Sequence, residues 1–332
     1  MPDSQVDIRS PDILVAGAGP AGATIARLLA RNGRRVVLVD PGTRHVERLE
    51  VIAPAACRVI DALGIAPLLD DASLARPCPG IRRRWGTTQT ETEDFLRRPG
   101  GRGFVIDRLP FDEALRMAAK DAGVRFIAGR VVAARHSAGA MVAKIQSGPA
   151  AFEIASGLLI DATGRPSAVA RRMGARRLTC ERLIADRQSV DMPASDPNAG
   201  WLDVESDVGR QGRWSYAVSG PDGRRERWAI YRPGQHAIVR SHLRVDASSA
   251  LLSPAAGDGW IAVGDAAASF DPVTSQGLAN ALSTALVAAG AILSPEGFDD
   301  AAHRIYSDAI ATTFRHSEAG RARVYDALKR AS

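Results

Sequence analysis

Gly17, Gly19 and Gly22 stand in the spacing G-x-G-x-x-G, after the apolar run Ile13 to Ala16 and before a stretch with helical periodicity, Ala21 to Ala30. Such a turn presents backbone N–H groups and a helix N-terminus to an anion. Each glycine has a steric role: Gly17 makes the turn, Gly19 admits a pyrophosphate against the backbone, and Gly22 lets helix and strand approach. Ala18, Pro20 and Ala21 complete the loop. Asp40 closes a second apolar run, Val36 to Val39, 18 residues past Gly22. An acid about 20 residues on meets a ribose hydroxyl in such units. The pattern predicts a dinucleotide-binding β-α-β unit and does not separate FAD from NAD.

The second informative segment is Trp260-Ile261-Ala262-Val263-Gly264-Asp265, followed by Asp271-Pro272-Val273-Thr274-Ser275-Gln276-Gly277-Leu278 and an uncharged stretch to Leu293 that reads as a buried helix. Asp265 is a carboxylate at the end of a buried strand, suited to the hydroxyls of a ribityl chain. The glycine-rich approach to the helix aims unpaired N–H groups outward, where they would favour negative charge at N1 and O2 of a reduced flavin. A simple NAD dehydrogenase needs no such second site, so the pair of segments points to FAD. No second G-x-G-x-x-G occurs. Electrons would then come from NAD(P)H docking transiently or from a separate flavin reductase.

These segments need an α/β scaffold. The expected architecture is a discontinuous Rossmann-like FAD-binding domain (1–75, 103–170, 251–298), an inserted, mainly antiparallel β-sheet substrate domain (76–102, 171–250) and a C-terminal helical segment (299–332). Glu50 to Gly64 reads as a helix opened by Pro54, and 67–102 as an irregular excursion. Phe104 to Arg108 leads into a helix, Val124 to Arg135 and Met141 to Ile145 read as a meander, and Leu158 to Asp161 as another short strand. Residues 171–250 have the short alternating runs of antiparallel sheet, and the last helix is expected to break near Gly320.

The chain has 332 residues, 45% of them apolar, enough core for a large globular protein. Its net charge of +6 comes from 40 arginines and only three lysines, without the interleaved aromatics of a nucleic-acid platform. We expect no nucleic acid partner. Cys57, Cys78 and Cys180 are too scattered for a disulfide or zinc motif. The N-terminal residues lack the basic-then-apolar run of a secretory signal, and Leu278 to Leu293 falls short of the roughly 20 residues of a membrane span. A cytoplasmic protein with no membrane or metal site is the expectation.

The Gly17 fingerprint, Asp161-Ala162-Thr163-Gly164 and Gly264-Asp265, in this order, resemble the FAD-dependent oxidoreductases of the glutathione-reductase superfamily, especially the para-hydroxybenzoate hydroxylase-like group. Asp94-Phe95-Leu96, Phe104 to Arg108, and Phe270 to Gly277 are similar to the tryptophan-halogenase-like branch, which includes flavoproteins that mature tryptophylquinone enzymes by oxidising a tryptophan of a partner protein. The resemblance implies that Asp40 holds the adenosine ribose, Arg108 lies along the FAD chain, Asp265 binds the ribityl hydroxyls, and Pro272 with Gln276, Gly277 and Leu278 borders the isoalloxazine ring. Glu50 corresponds to a glutamate of this branch, near the flavin pocket or as an acid at a helix N-terminus. Trp85, Trp214, Tyr216 and Trp228 are candidates for an aromatic substrate pocket, with core or sheet-face packing as the alternative. His45 lies five residues past Asp40, where some flavoenzymes attach flavin covalently; attachment is not expected here.

Two departures bear on the reaction. The halogenase lysine has no counterpart: the region reads Arg82-Arg83-Arg84-Trp85-Gly86, and no lysine precedes Lys120. Arginine is too basic and fork-shaped to take its place. The halogenase W-x-W-x-I-P segment is replaced by Trp214-Ser215-Tyr216-Ala217-Val218-Ser219. The expected function is therefore an FAD-dependent monooxygenase using O2 on an electron-rich aromatic, an indole or a tryptophan within a partner protein. A flavin-dependent dehydrogenase or reductase, a halogenase, and a catalytically silent FAD-binding partner are the alternatives. No side chain is identified as an acid or base, Glu50 being the one candidate.

Overall fold

The computed structural model describes residues 11–42, 47–87, 89–190, 200–206, 213–235 and 243–331. His45 and the start of the chain lie outside them.

Ile13–Ala16 forms the central strand of a six-stranded sheet because all four of its side chains are apolar and covered on both faces. Leu158–Asp161 and Val36–Asp40 flank it in parallel, Arg125–Ala128 lies beyond Val36–Asp40, and Trp260–Ala262 pairs with Leu158–Asp161. Ala256–Gly257 adds a short antiparallel edge. The fingerprint helix Pro20–Arg31 starts with proline at its first position and stops at Asn32, with Gly33 at φ +79°.

A seven-stranded sheet forms the second large layer, in the order Leu243–Asp246, Ile184–Val190, Arg225–Tyr231, Trp214–Ser219, Leu202–Ser206, Gly80–Arg84, Glu91–Asp94. All its pairings are antiparallel except Leu202–Ser206 with Gly80–Arg84. The excursion through 67–102 enters this sheet. It supplies two strands of this sheet, one of them the polar edge Glu91–Asp94, which carries no apolar alternation to reveal it. The sheet Leu49–Ile52, Phe104–Asp107, Ala75–Pro77 lies between the two layers in sequence.

Four expectations change. Glu50 is not at a helix head: it lies in Leu49–Ile52, opposite Ile106, and the helix begins only at Pro54. The stretch Val124 to Arg135 divides at Gly129; Arg125–Ala128 joins the parallel sheet, and the meander is Arg130–Ser137, Ala140–Ser147, Ala150–Ser156. Helix Gly277–Ile292 is buried on one face only, with Leu286 and Val287 exposed on the other. The last helix, Asp300–Ala331, runs without interruption through Gly320. Among the described residues no helix is long and apolar enough to cross a membrane.

Candidate functional site

One cavity of about 1210 Å³ joins the two layers. It exceeds the roughly 300–1,000 Å³ of a small-ligand site, as a dinucleotide together with a second reactant requires. Gly17, Gly19, Pro20, Ala21 and Asp40 line one end. Gly17 has φ +105°, and a Cβ there would lie 2.3 Å from the Ala162 carbonyl oxygen; a Cβ on Gly22 would lie 1.9 Å from the Gly17 oxygen. Glycine is required at both places. Gly19 differs, because a Cβ on it would meet nothing within 4 Å. It borders open cavity at the helix N-terminus, which is the cradle a pyrophosphate needs. The Ala18 N–H is held by Asp40 Oδ2 at 2.8 Å and the Gly42 N–H by Oδ1 at 2.8 Å. A carboxylate has about four acceptor sites, so Asp40 retains capacity for a ribose hydroxyl.

The downstream glycine segment packs directly on the fingerprint. Gly264, at φ +61°, leaves no space for a side chain: a Cβ would come within 2.7 Å of Ala21 Cβ. Its N–H is donated to Thr284 Oγ1 at 2.8 Å. The next residue, Asp265, keeps a half-exposed carboxylate on the cavity wall, with Arg165 Nε 3.6 Å away. Arg177 braces the same turn from inside, donating to the Asp265 carbonyl at 3.1 Å and to Ser269 Oγ at 2.6 Å. Sequence reasoning missed Arg165 and Arg177, which sit in an arginine-rich chain where no single arginine stands out. Asp161 is structural: buried, it accepts from the N–H groups of Thr163, Val169 and Ala170 and so shapes the loop behind Gly17.

Pro272, Gln276, Gly277 and Leu278 line the middle of the cavity beside Glu50 and Arg108. Arg108 is buried, donates through Nε and Nη2 to both Asp112 oxygens at 2.9 Å, and donates through Nη1 to Glu50. Arg108 is therefore not a solvated surface arginine. Burial works against the Arg108 charge, but Asp112 and Glu50 outweigh it and hold the guanidinium firmly protonated. For Glu50, burial likewise opposes ionisation, yet Arg108 and Arg48 dominate and keep its carboxyl below the usual glutamate range. Glu50 also takes the Leu278 N–H. The helix N-terminus expected to be open is therefore partly satisfied by this carboxylate.

The far end is aromatic. Tyr216 lies opposite Val204 and Trp228 in register, and Trp214 shares its face of the strand two residues away. These residues and Trp85 all line the cavity. Trp85 meets Trp214 edge-on at 5.9 Å, and Trp214 and Tyr216 are 5.9 Å apart. Burial and the nearby Glu50 push the Tyr216 hydroxyl up, so it stays protonated as a donor. Of the three consecutive arginines, Arg82 is bound to Asp203, Arg84 to Glu205, and Arg83, which reaches the cavity, to Glu93 at 2.7 Å. Among the described residues no lysine lines the cavity.

The C-terminal helix, expected to be a separate segment, closes this end. Arg323, Val324 and Ala327 line the cavity. Trp214 Nε1 donates to Tyr325 Oη at 2.9 Å, Trp85 Nε1 to the Val324 carbonyl at 3.2 Å, and Arg321 Nε to Asp271 Oδ2 at 2.7 Å. Arg321 and Tyr325 had no sequence signal beyond their helical spacing. Among the described residues no His, Cys, Asp and Glu cluster could hold a metal.

The FAD binding domain family matches residues 10–210. The chain belongs to that family. Its glycine cradle, Asp40 and Asp265 fit the cofactor the family name implies. A menaquinone reductase of Mycobacterium tuberculosis is 28% identical over 84% of this chain and 76% of its own length. The putative FAD-dependent oxidoreductase LodB of Marinomonas mediterranea is 24% identical over 97% of this chain and 95% of its own. The solved structure of QhpG, a peptidyl tryptophan dihydroxylase essential for tryptophylquinone cofactor biogenesis, superposes with a TM-score of 0.75 at 23% identity, covering 97% of this chain and 75% of QhpG. The chain is thus an FAD-dependent oxidoreductase that shares its fold with QhpG.

Proposed function

We propose that the protein is an FAD-dependent monooxygenase that hydroxylates an electron-rich aromatic ring, an indole or a tryptophan carried by a partner protein. The observation that carries this reading is one cavity running from the Gly17–Gly22 cradle to a sheet face bearing Trp85, Trp214, Tyr216 and Trp228, with no lysine among the described residues of its lining. In this reading Gly17 to Gly22 hold the pyrophosphate, Asp40 the adenosine ribose, Asp265 the ribityl hydroxyls, and Pro272 with Gln276, Gly277 and Leu278 the ring. Arg108 acts through Glu50 and Asp112, fixing both carboxylates beside the cofactor chain. Bound and reduced, the flavin supplies the O2 chemistry, in which one oxygen atom passes to the substrate ring and the other leaves as water. The two electrons come from NAD(P)H or a separate flavin reductase.

The chain's own residues do the rest. The aromatic wall orients a flat substrate, Tyr216 offers it a hydrogen-bond donor, and Leu49, Val51, Ile81 and Leu202 exclude water. The likeness to QhpG, a peptidyl tryptophan dihydroxylase, supports a peptidyl tryptophan. Halogenation is disfavoured by Arg83, whose guanidinium is engaged by Glu93 where a reactive amine would be needed. The menaquinone reductase likeness supports a second reading, reduction of an apolar quinone or isoprenoid. Titrating the FAD-loaded protein separates the two: N-acetyltryptophanamide should perturb the flavin spectrum and a short-chain menaquinone should not, and the reverse pattern would favour the reductase. A chain that takes up no FAD would contradict both.

A further inference from the structure

Three tryptophans and two tyrosines, Trp85, Trp214, Trp228, Tyr216 and Tyr325, gather in the hydrophobic cluster that backs the aromatic wall. They are five of the nine such residues in the chain, whereas none of its eight phenylalanines is among the described residues of that cluster. Packing alone is served equally well by phenylalanine. What tryptophan and tyrosine add is a polar hydrogen and a ring that gives up an electron more readily.

The rings form a continuous path. Half-buried Tyr216, which feels the charge of Glu50, has its ring 5.9 Å from Trp214. Trp214 is 5.9 Å from Trp85, and Trp85 is 6.5 Å from Tyr325. These are the separations of packed aromatic pairs, close enough for an electron vacancy to step from ring to ring. Tyr216 and Trp214 face the cavity, while Trp85 and Tyr325 are only partly buried. Val273, next to the proline assigned to the flavin ring, packs on the same cluster.

The polar hydrogens have acceptors along the way. Trp214 donates to the Tyr325 hydroxyl at 2.9 Å, Trp85 to the Val324 carbonyl at 3.2 Å, Trp228 to Glu226 Oε2 at 3.2 Å, and Tyr325 to Oδ2 of buried Asp271 at 3.0 Å. An oxidised ring is a strong acid, so a carboxylate at its polar hydrogen takes the proton and eases loss of the electron.

We infer that Trp214, Trp85 and Tyr325 form a relay that carries one-electron oxidising equivalents out of the flavin site, with Tyr216 as its inner contact. This rests on the placing of the flavin ring beside Pro272 and Leu278. Flavins support one-electron as well as hydride chemistry, and without an outlet the rings of the wall would be the first groups damaged. An oxidant in the cavity takes one electron from Trp214, and an outer ring replaces it. The vacancy ends on Tyr325, which passes its proton to Asp271 Oδ2. A soluble one-electron reductant, ascorbate or a thiol, returns the electron to Tyr325, and Asp271 returns the proton. The oxidant gains one electron, the reductant loses one, and no side chain is consumed.

A blue flash on the FAD-loaded protein makes the oxidised flavin the oxidant, and transient absorption reads which ring carries the vacancy. The wild type should show a persistent tyrosyl radical that ascorbate removes. Tyr325→Phe should leave a tryptophanyl radical in its place. Trp214→Phe should lose the persistent radical, and so should the double substitution Trp85→Phe with Tyr325→Phe, which leaves the inner rings intact and guards against misfolding of the first variant. Trp201→Phe, outside the cluster, should match the wild type. An FAD-loaded wild type without a persistent radical, a radical that survives both interruptions, or one lost with Trp201 overturns the inference alone. A chain that takes up no FAD overturns the cofactor reading and the inference with it.

Discussion

Tyr325 donates its hydroxyl to Asp271 Oδ2 at 3.0 Å, from the last turns of the C-terminal helix to the loop that leads into Pro272. The Tyr325 hydroxyl oxygen in turn accepts the indole N–H of Trp214 at 2.9 Å. One side chain thus ties the loop beside the proposed ring position to the aromatic wall of the substrate sheet. Tyr325→Phe leaves the Trp214 N–H without its acceptor while Asp271 keeps Arg321. A stability loss of about 1–3 kcal/mol is expected, read as a lower midpoint in urea unfolding, together with weaker binding of aromatic ligands and unchanged FAD affinity.

Two of the fingerprint glycines, Gly22 and Gly19, should separate by phenotype. Gly22→Ala places a Cβ 1.9 Å from the Gly17 oxygen, so it should damage folding. Gly19→Ala meets no protein atom within 4 Å and should fold normally. Its methyl group occupies the space proposed for the pyrophosphate, so FAD affinity should fall by about tenfold or more, roughly 1.4 kcal/mol. Absorbance titration with FAD, alongside thermal unfolding of the apoprotein, measures both effects.

Arg108 holds two partly buried carboxylates. Arg108→Met removes the cation and leaves Glu50 and Asp112 facing each other's charge, a change that costs about 3–5 kcal/mol when a buried pair is broken. The pH dependence has a definite sign. Glu50 has a folded pKa below the ordinary 4.5, so its ion pair contributes fully above pH 4.5 and that contribution is lost as pH falls through the folded value. Denaturation midpoints measured from neutral to acid pH should fall in the wild type. Arg108→Met should start lower and show a shallower acid decline.

Gly320→Ala should stabilise the protein by about 1 kcal/mol, since the helix is continuous and the methyl group meets open space. A rise in thermal midpoint checks it. A fall would mean that the helix does break there.

The glycine turns on the cavity wall were legible because their constraints are local. Gly17, Gly22 and Gly264 occupy positions where backbone geometry or a neighbouring atom excludes every side chain, and Asp40 and Asp265 each follow an apolar strand at a fixed spacing. What stayed hidden is long-range. Glu50 reads as the start of a helix because Pro54 follows closely, whereas its strand is fixed by pairing with Phe104–Asp107. The polar strand Glu91–Asp94 is held by Gly80–Arg84, not by its own alternation. Tyr325 and Arg321 reach partners 54 and 50 residues away in sequence, and nothing in their local pattern signals Asp271. Gly320 misled because glycine in a helix normally marks an end, whereas here it lines a cavity.

The central claim is oxygen transfer to an aromatic ring. The most direct test supplies the protein with reduced FAD, isotopically labelled O2 and a tryptophan-containing peptide, then weighs the peptide by mass spectrometry. The account predicts that labelled oxygen is incorporated into the tryptophan side chain. Unmodified peptide, with all of the consumed O2 recovered as hydrogen peroxide, would contradict it.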